Sequence, residues 1–575
     1  MEGFNNVVQS DVLVIGGGLA GCLAAIEAKE VLGQDARVVI VDKSRIAKSG
    51  QSTFAAGIFT VFDPGQDDLD VWLREIIARG EYLSDQAWCK QMFEQTMPIA
   101  QDIEKWAAGY RKLVFEKDAN GNFVRRRSRG HVSTRNSMVN ALSMMAVLRR
   151  KLVAKKVTIV ERVMVTDLVQ MDGSPVGAVG FNYWNDDTSL FHAKTMVLAA
   201  SGSGFKSLYM GHQNLTGDLQ AAAFEIGATF RNMEQFSTNS TSRFYDVHGL
   251  QIYVGIGGKF LNRLGEEFMW NYHPELGSRA PQQDLALAMC REVAEGRGPI
   301  YLDMRSASAA DRQMCRGALP EAFRLWDRAG IDPFEQPLEW VPSFEGTLQA
   351  GGGLHINTRC ETNLPRLYAA GDITSLPPHG TYSVGGINLA FSSVSGRVAG
   401  HNAAEEAKSA APIDPATIGK KAYEVLRRSF APLTRSERMS TEEAIKMLQQ
   451  AMIPVNYGYL KSAEGIADTL QQIERVRQEI LPQLAATSSH ALVKAIEVRS
   501  MVTVARAMFT AAQFREESRG WHFRTDFPRT DNEKWLKWVM LSKDGESIRI
   551  TTQQVETPFA APAELYVIPP GVRRT

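Results

Sequence analysis

The stretch DVLVIGGGLAGCLAAIEA, residues 11–28, runs from an apolar strand through a glycine cluster into an alanine-rich helix. Gly16, Gly18 and Gly21 fit G-x-G-x-x-G between a predicted strand, Val12 to Ile15, and helix formers that begin at Leu19 and Ala20. Such glycines allow a tight turn and let the backbone approach a pyrophosphate, which then rests on a helix N-terminus. Further on, ARVVIVDK (36–43) reads as a second buried strand ending at Asp42, an acid placed to accept from an adenosine ribose. The spacing therefore predicts a doubly wound α/β domain that binds a dinucleotide.

At 575 residues the chain exceeds one hydrophobic core, and two to four domains are expected. Its 64 basic side chains equal its 64 acidic ones, which gives no electrostatic case for nucleic acid or an anionic membrane. No apolar run reaches the length of a membrane span, so a cytoplasmic protein is expected. The cysteines, Cys22, Cys89, Cys290, Cys315 and Cys360, form no C-x-x-C pair. They predict no metal site in this chain, and any iron–sulfur centre must sit on another.

KTMVLAASGSG (194–204) and LYAAGD (367–372) read as later strands of the nucleotide domain, so an insertion separates its halves. The expected order is a first FAD-binding part over 1–234, an α+β cap over 235–346, a second FAD-binding part over 347–412, and a helical domain with its tail over 413–575. Long polar–apolar periodicity in AEGIADTLQQIERVRQEI (463–480) marks the last of these, and Asp544–Gly545 predicts a hairpin near its end. In FEKDANGNFVRRRSRG (115–130), Asn120–Gly121 predicts another hairpin, with a basic second strand that is either a solvated face, a docking surface for an acidic partner or a contact with the cofactor.

These segments together resemble the flavoprotein subunits of fumarate reductase and succinate dehydrogenase, with L-aspartate oxidase and the adenylylsulfate reductase alpha subunit. AKSGQSTFAAGI (47–58) is similar to the family's flavin loop, NLTGDLQAAAFEIGA (214–228) to its T-G-D-G segment, and HGTYSVGGINLAFSSVSGRVAG (379–400) to its closing flavin segment. ESRGWHFRTDFPRTDNEKWLK (517–537) resembles its helical-domain signature. The resemblance implies FAD, with Lys43, Ser49, Gly50, Ser52, Thr53, Ala56, Gly57, Asp218, Asp372, Asn388 and Leu389 joining the glycines and Asp42 as contacts. In places VIVDKSRIAKSG, NMEQFSTNSTSRF and EGRGPIYL resemble the adenylylsulfate reductase branch more nearly.

Departures from the family pattern bear on the chemistry. Ser52 stands where membrane-coupled members carry a flavin-linked histidine, which implies noncovalent FAD. Arg279, in HPELGSRAP (273–281), occupies the place of the family's proton-donating arginine and is the expected catalytic residue. The substrate clamp is less well kept. One family histidine falls at Asn239 or its neighbour Thr238, another at Leu348, the second clamping arginine at Ser383, and the proton relay near Gln251 and Val254. Fumarate, succinate and aspartate are therefore not expected as substrates. His379 and Tyr382 either line the pocket or belong to the core. The reading is an FAD-dependent oxidoreductase of a small organic or sulfur-containing anion, partnered by a small ferredoxin-like iron–sulfur subunit. An oxygen-using oxidase and a non-catalytic electron relay are the alternatives.

Overall fold

The computed structural model describes residues 3–55, 57–111, 113–127, 132–208, 212–245, 247, 249–349, 351–381, 385–411, 415–436 and 439–562. Strand β1 (Asn6–Ile15), helix α1 (Leu19–Leu32) and β2 (Val38–Asp42) form the opening unit, with β1 and β2 parallel. Val12 to Ile15 are almost fully buried, as a near-continuous apolar run in a covered parallel sheet requires. Then come β3 (Thr158–Glu161), β4 (Val163–Met171), β5 (Ser174–Asn182) and β6 (Thr188–Leu198). The sheet runs β3-β2-β1-β6-β5-β4, and a seventh strand, Leu367–Ala369, pairs parallel with β6. The LYAAGD segment thus closes the same sheet from far along the chain.

Between them stands a second core. Strands β7 (Ser237–Ser242) and β8 (Leu338–Gly346) pair antiparallel, and with Ile300–Asp303 and Lys259–Leu261 they make a four-stranded sheet. Helix α2 (Gln282–Ala294) buries Leu285, Ala288 and Met289 in a cluster with Tyr253, Trp326 and Trp340.

Helix α3 (Ile387–Ser409) packs along α1, where Gly396 and Gly400 let the backbones meet: a Cβ at either would stand 2.4 or 2.2 Å from an α1 carbonyl oxygen. Helix α4 (Pro415–Ser429) contributes Ile418 and Ala422 to a core with Val169, Val176 and Leu190 of the large sheet. Helix α5 (Ser489–Phe514) runs through the main core with 15 buried residues. Strands β9 (Lys537–Asp544) and β10 (Ser547–Gln554) form the hairpin expected at Asp544–Gly545. This hairpin pairs with Phe230–Arg231, which in turn pairs with Gly353–Leu354, so the C-terminal segment joins the strands on both sides of the inserted core.

Two arginines of the basic strand are paired with acids, while Arg127 is exposed. Arg125 is 6% exposed in its side chain and ion-pairs with Asp67 and Asp63, while Arg126 pairs with Glu116. The acids neutralise the two arginines in place, and Arg129 lies outside the described residues.

Candidate active site

The glycine loop takes its shape from steric necessity. Gly16 has φ +119°, and a Cβ there would lie 2.4 Å from Ala199 backbone; a Cβ on Gly21 would lie 1.9 Å from the Gly16 carbonyl oxygen. Gly18 differs, because a Cβ there would meet only Ser52 Oγ, at 3.3 Å. Its openness faces a groove between the strand ends, lined by the glycine loop, Asp42, Ser49 to Ser52, Thr216 to Leu219 and Asp372. This is the crevice outside the carboxyl ends of the strands, where doubly wound sheets bind ligands.

Each expected cofactor contact can now be placed. Gly16, Gly18, Leu19, Ala20, Asp42, Lys43, Ser49, Gly50, Ser52, Asp218 and Asp372 line the groove together, and Gly21 lies buried beneath the turn. Thr53, Gly57, Asn388 and Leu389 do not line it, and Ala56 lies outside the described residues. Asp42 accepts from Gly17 N at 2.7 Å and Ser44 N at 2.6 Å, so it fastens the loop. A carboxylate has about four lone-pair sites, which leaves room for a ribose as well. Ser52 Oγ accepts from Leu19 N at 3.1 Å, at the first turn of α1.

The Lys43 ammonium donates to Asp218 at 2.6 Å, Glu497 at 3.0 Å and Thr216 Oγ1 at 3.0 Å, which occupies all three of its protons. From the groove lining, it also fixes Asp218 at the groove wall. Glu497, from α5, also takes Lys206 at 2.8 Å; burial pushes its carboxyl upward, but the two lysines hold it below the usual range. Neither Glu497 nor Lys206 carried a sequence signal, since neither lies in a glycine or acid motif. Val163 to Val165 also line the groove unannounced.

The groove fits FAD. Asp372 has a buried Oδ1 with no partner, and burial pushes its carboxyl up to about 7. A ribityl hydroxyl is the kind of donor that position lacks, and the open face of Gly18 at the N-terminus of α1 suits a pyrophosphate.

A second set of residues gathers at the N-terminus of α2. Arg279 ends the short 3₁₀ turn Gly277–Arg279, with its side chain exposed. Two residues beyond Ala280, Gln282 Nε2 donates to Asn239 Oδ1 at 2.8 Å, and Gln283 Nε2 donates to Thr381 O at 3.0 Å. Asn239 Nδ2 donates in turn to Glu345 at 3.0 Å, and Ser237 Oγ donates to the other oxygen at 2.9 Å. The cap strand, its helix and the loop before the flavin segment are thus tied at one place. His379 does not open into it: it is 1% exposed and shares a 2.6 Å hydrogen bond with Asn388. Burial holds its imidazole down at about 4, so it is a neutral support for the start of α3. Tyr382 and Ser383 lie outside the described residues.

A family model described as FAD binding domain matches residues 11–389, and one described as fumarate reductase flavoprotein C-term matches 446–574. The chain belongs to the fumarate reductase and succinate dehydrogenase flavoprotein family. It is an FAD-dependent oxidoreductase, with the flavoprotein subunits of that family as homologues. A fumarate reductase (CoM/CoB) polypeptide of Methanothermobacter marburgensis is 28% identical over 566 residues, spanning 94% of this chain and 98% of that one. L-aspartate oxidase of Streptomyces coelicolor is 27% identical over 563 residues, 93% and 91% of the two chains. A quinol-fumarate reductase structure superposes with a TM-score of 0.88 at 23% identity, covering 97% of this chain and 100% of its own. Adenylylsulfate reductase from Archaeoglobus fulgidus gives 0.79 at 20%, covering 96% and 97%. Those two likenesses establish the fold. No helix among the described residues is long and apolar enough to cross a membrane.

Proposed function

We propose that this chain exchanges an electron pair with a small organic or sulfur-containing anion beneath the cap, and trades electrons with a small ferredoxin-like iron–sulfur subunit. The observation that supports the reading is the convergence at the N-terminus of α2, where Gln282 bonds Asn239 and Gln283 bonds the Thr381 carbonyl, three and four residues after Arg279. Bound FAD supplies the redox centre. Arg279 holds the anion through its guanidinium fork, or gives it a proton as charge moves. The iron–sulfur partner is inferred because the five cysteines of this chain are scattered and buried, while a flavin that takes electrons in pairs needs an outlet that passes them singly.

The relatives named for fumarate do not make fumarate the substrate here. A C4 dicarboxylate brings two charges, and the positions that would clamp them hold the neutral Asn239 and the buried Leu348. Purification of the protein from its native cells should recover a small iron-rich partner, and fumarate should not reoxidise the reduced flavin of that preparation at a useful rate. Recovery of a lone flavoprotein that makes peroxide on turnover would instead favour an oxidase, and rapid reoxidation by fumarate would overturn the substrate reading.

FAD is proposed to be held noncovalently, because serine at position 52 cannot supply a histidyl linkage. Acid precipitation should release yellow flavin into the supernatant. Colour retained in the washed pellet would show a covalent bond formed elsewhere.

A further inference from the structure

Glu345 is a carboxylate with no part in the reading so far. Along β7 and β8 the register shifts: Ser237 faces Gly346 and Thr238 faces Phe344, so Glu345 is the extra, bulged residue between them. A bulge re-aims its side chain, and here it sends the carboxylate into the polar cluster behind Asn239. The residue is 2% exposed, and its oxygens accept from Ser237 and Asn239. No charged side chain among the described residues acts on it appreciably; burial alone pushes it up to about 7, eased by those two hydrogen bonds. The half-buried Asn239 is the front of this cluster, and Glu345 stands directly behind it.

We propose that Glu345 is a specificity-determining residue that confines the site to anions of single charge, because its own charge repels a second carboxylate placed against Asn239. The proposal rests on the reading of a small-anion site beneath the cap. A ligand atom packed against the Asn239 side chain stands roughly 5–7 Å from the Glu345 carboxylate, one hydrogen-bond length plus one packing contact away. At that separation and an effective dielectric near 20, two fixed like charges would lower affinity by about 100-fold, but a carboxyl held at about 7 takes up a proton instead, which limits the loss to about tenfold at pH 8. A mono-anion held at Arg279, turning a neutral end toward Asn239, escapes that penalty.

The test uses the FAD-loaded protein at pH 8, where Glu345 is ionised, and follows the flavin absorbance spectrum on titration with fumarate, succinate and crotonate. Glu345→Gln removes the charge; its amide oxygen still accepts from Asn239, and its amide nitrogen donates to Ser237 Oγ, reversing that bond. It should tighten fumarate and succinate about tenfold and leave crotonate within about twofold, whereas Glu345→Asp should keep the discrimination. Flavin content and melting temperature report folding, and Glu345→Met serves as a second neutral variant should Glu345→Gln lose its flavin. Dicarboxylate affinity unchanged in the neutral variants, with crotonate still binding, overturns the role of Glu345 alone. If none of the three anions perturbs the flavin in any form, the small-anion site is wrong and the proposal falls with it.

Discussion

Gly18→Val should give a folded protein that has lost its flavin. Gly18 has φ −77° and ψ −167°, backbone that any residue adopts, and the nearest protein atom to a Cβ there is Ser52 Oγ at 3.3 Å. The chain itself therefore objects little to a side chain: the Ser52 hydroxyl must give slightly, no dihedral is strained, and a cost of about 1 kcal/mol is expected. The ligand objects strongly, because that side chain fills the space through which a pyrophosphate reaches the first amides of α1. Flavin per protein should drop at least tenfold, while the melting temperature stays within about 4 °C of wild-type apoprotein. Gly21→Ala is the contrast: its Cβ would overlap the Gly16 carbonyl oxygen at 1.9 Å, so it should damage the fold and the flavin together. A yellow, stoichiometric Gly18→Val protein would move the pyrophosphate away from α1.

The difference between those glycines also marks what a sequence discloses. The strand, turn and helix at residues 12–32 are local, set by apolar runs and by a turn only glycine can make, and the structure keeps them as read. What the side chains do across the fold was not legible. Lys43 lines the groove next to Asp42, but its partners Thr216, Asp218 and Glu497 stand 173, 175 and 454 residues away in the chain. Arg125 looked like part of a basic face because Asp67, which neutralises it, lies 58 residues earlier on another strand connection. The hairpin at Asp544–Gly545 was local and readable, whereas its pairing with Phe230–Arg231 was not. Glu345 sits in no motif at all. Only a register shift between two strands roughly 100 residues apart turns it toward Asn239.

Arg279→Ala should abolish most turnover while leaving the flavin and the fold in place. The backbone at this position is held independently of the side chain. Gly277, at φ +50°, sits against the Trp270 ring, Arg279 N donates to Leu276 O at 2.9 Å, and the next residue, Ala280, is fully buried. The guanidinium itself is exposed, and no carboxylate among the described residues pairs with it. Its removal should therefore change stability by less than about 0.5 kcal/mol, as for surface positions without a specific partner. The reaction would lose a positioned, charge-assisted donor, which typically costs about 10²–10³ in rate. Steady-state kinetics on whichever anion proves to turn over separates the two roles open to the residue. An arginine that only holds the anion gives a raised KM with kcat kept, whereas one that donates a proton or stabilises developing charge lowers kcat itself. Arg279→Lys sharpens the distinction: it keeps the charge but not the planar fork, so it should recover affinity better than rate. A kcat/KM near wild type in Arg279→Ala would take the residue out of the site, and with it the reason for placing the substrate at the N-terminus of α2.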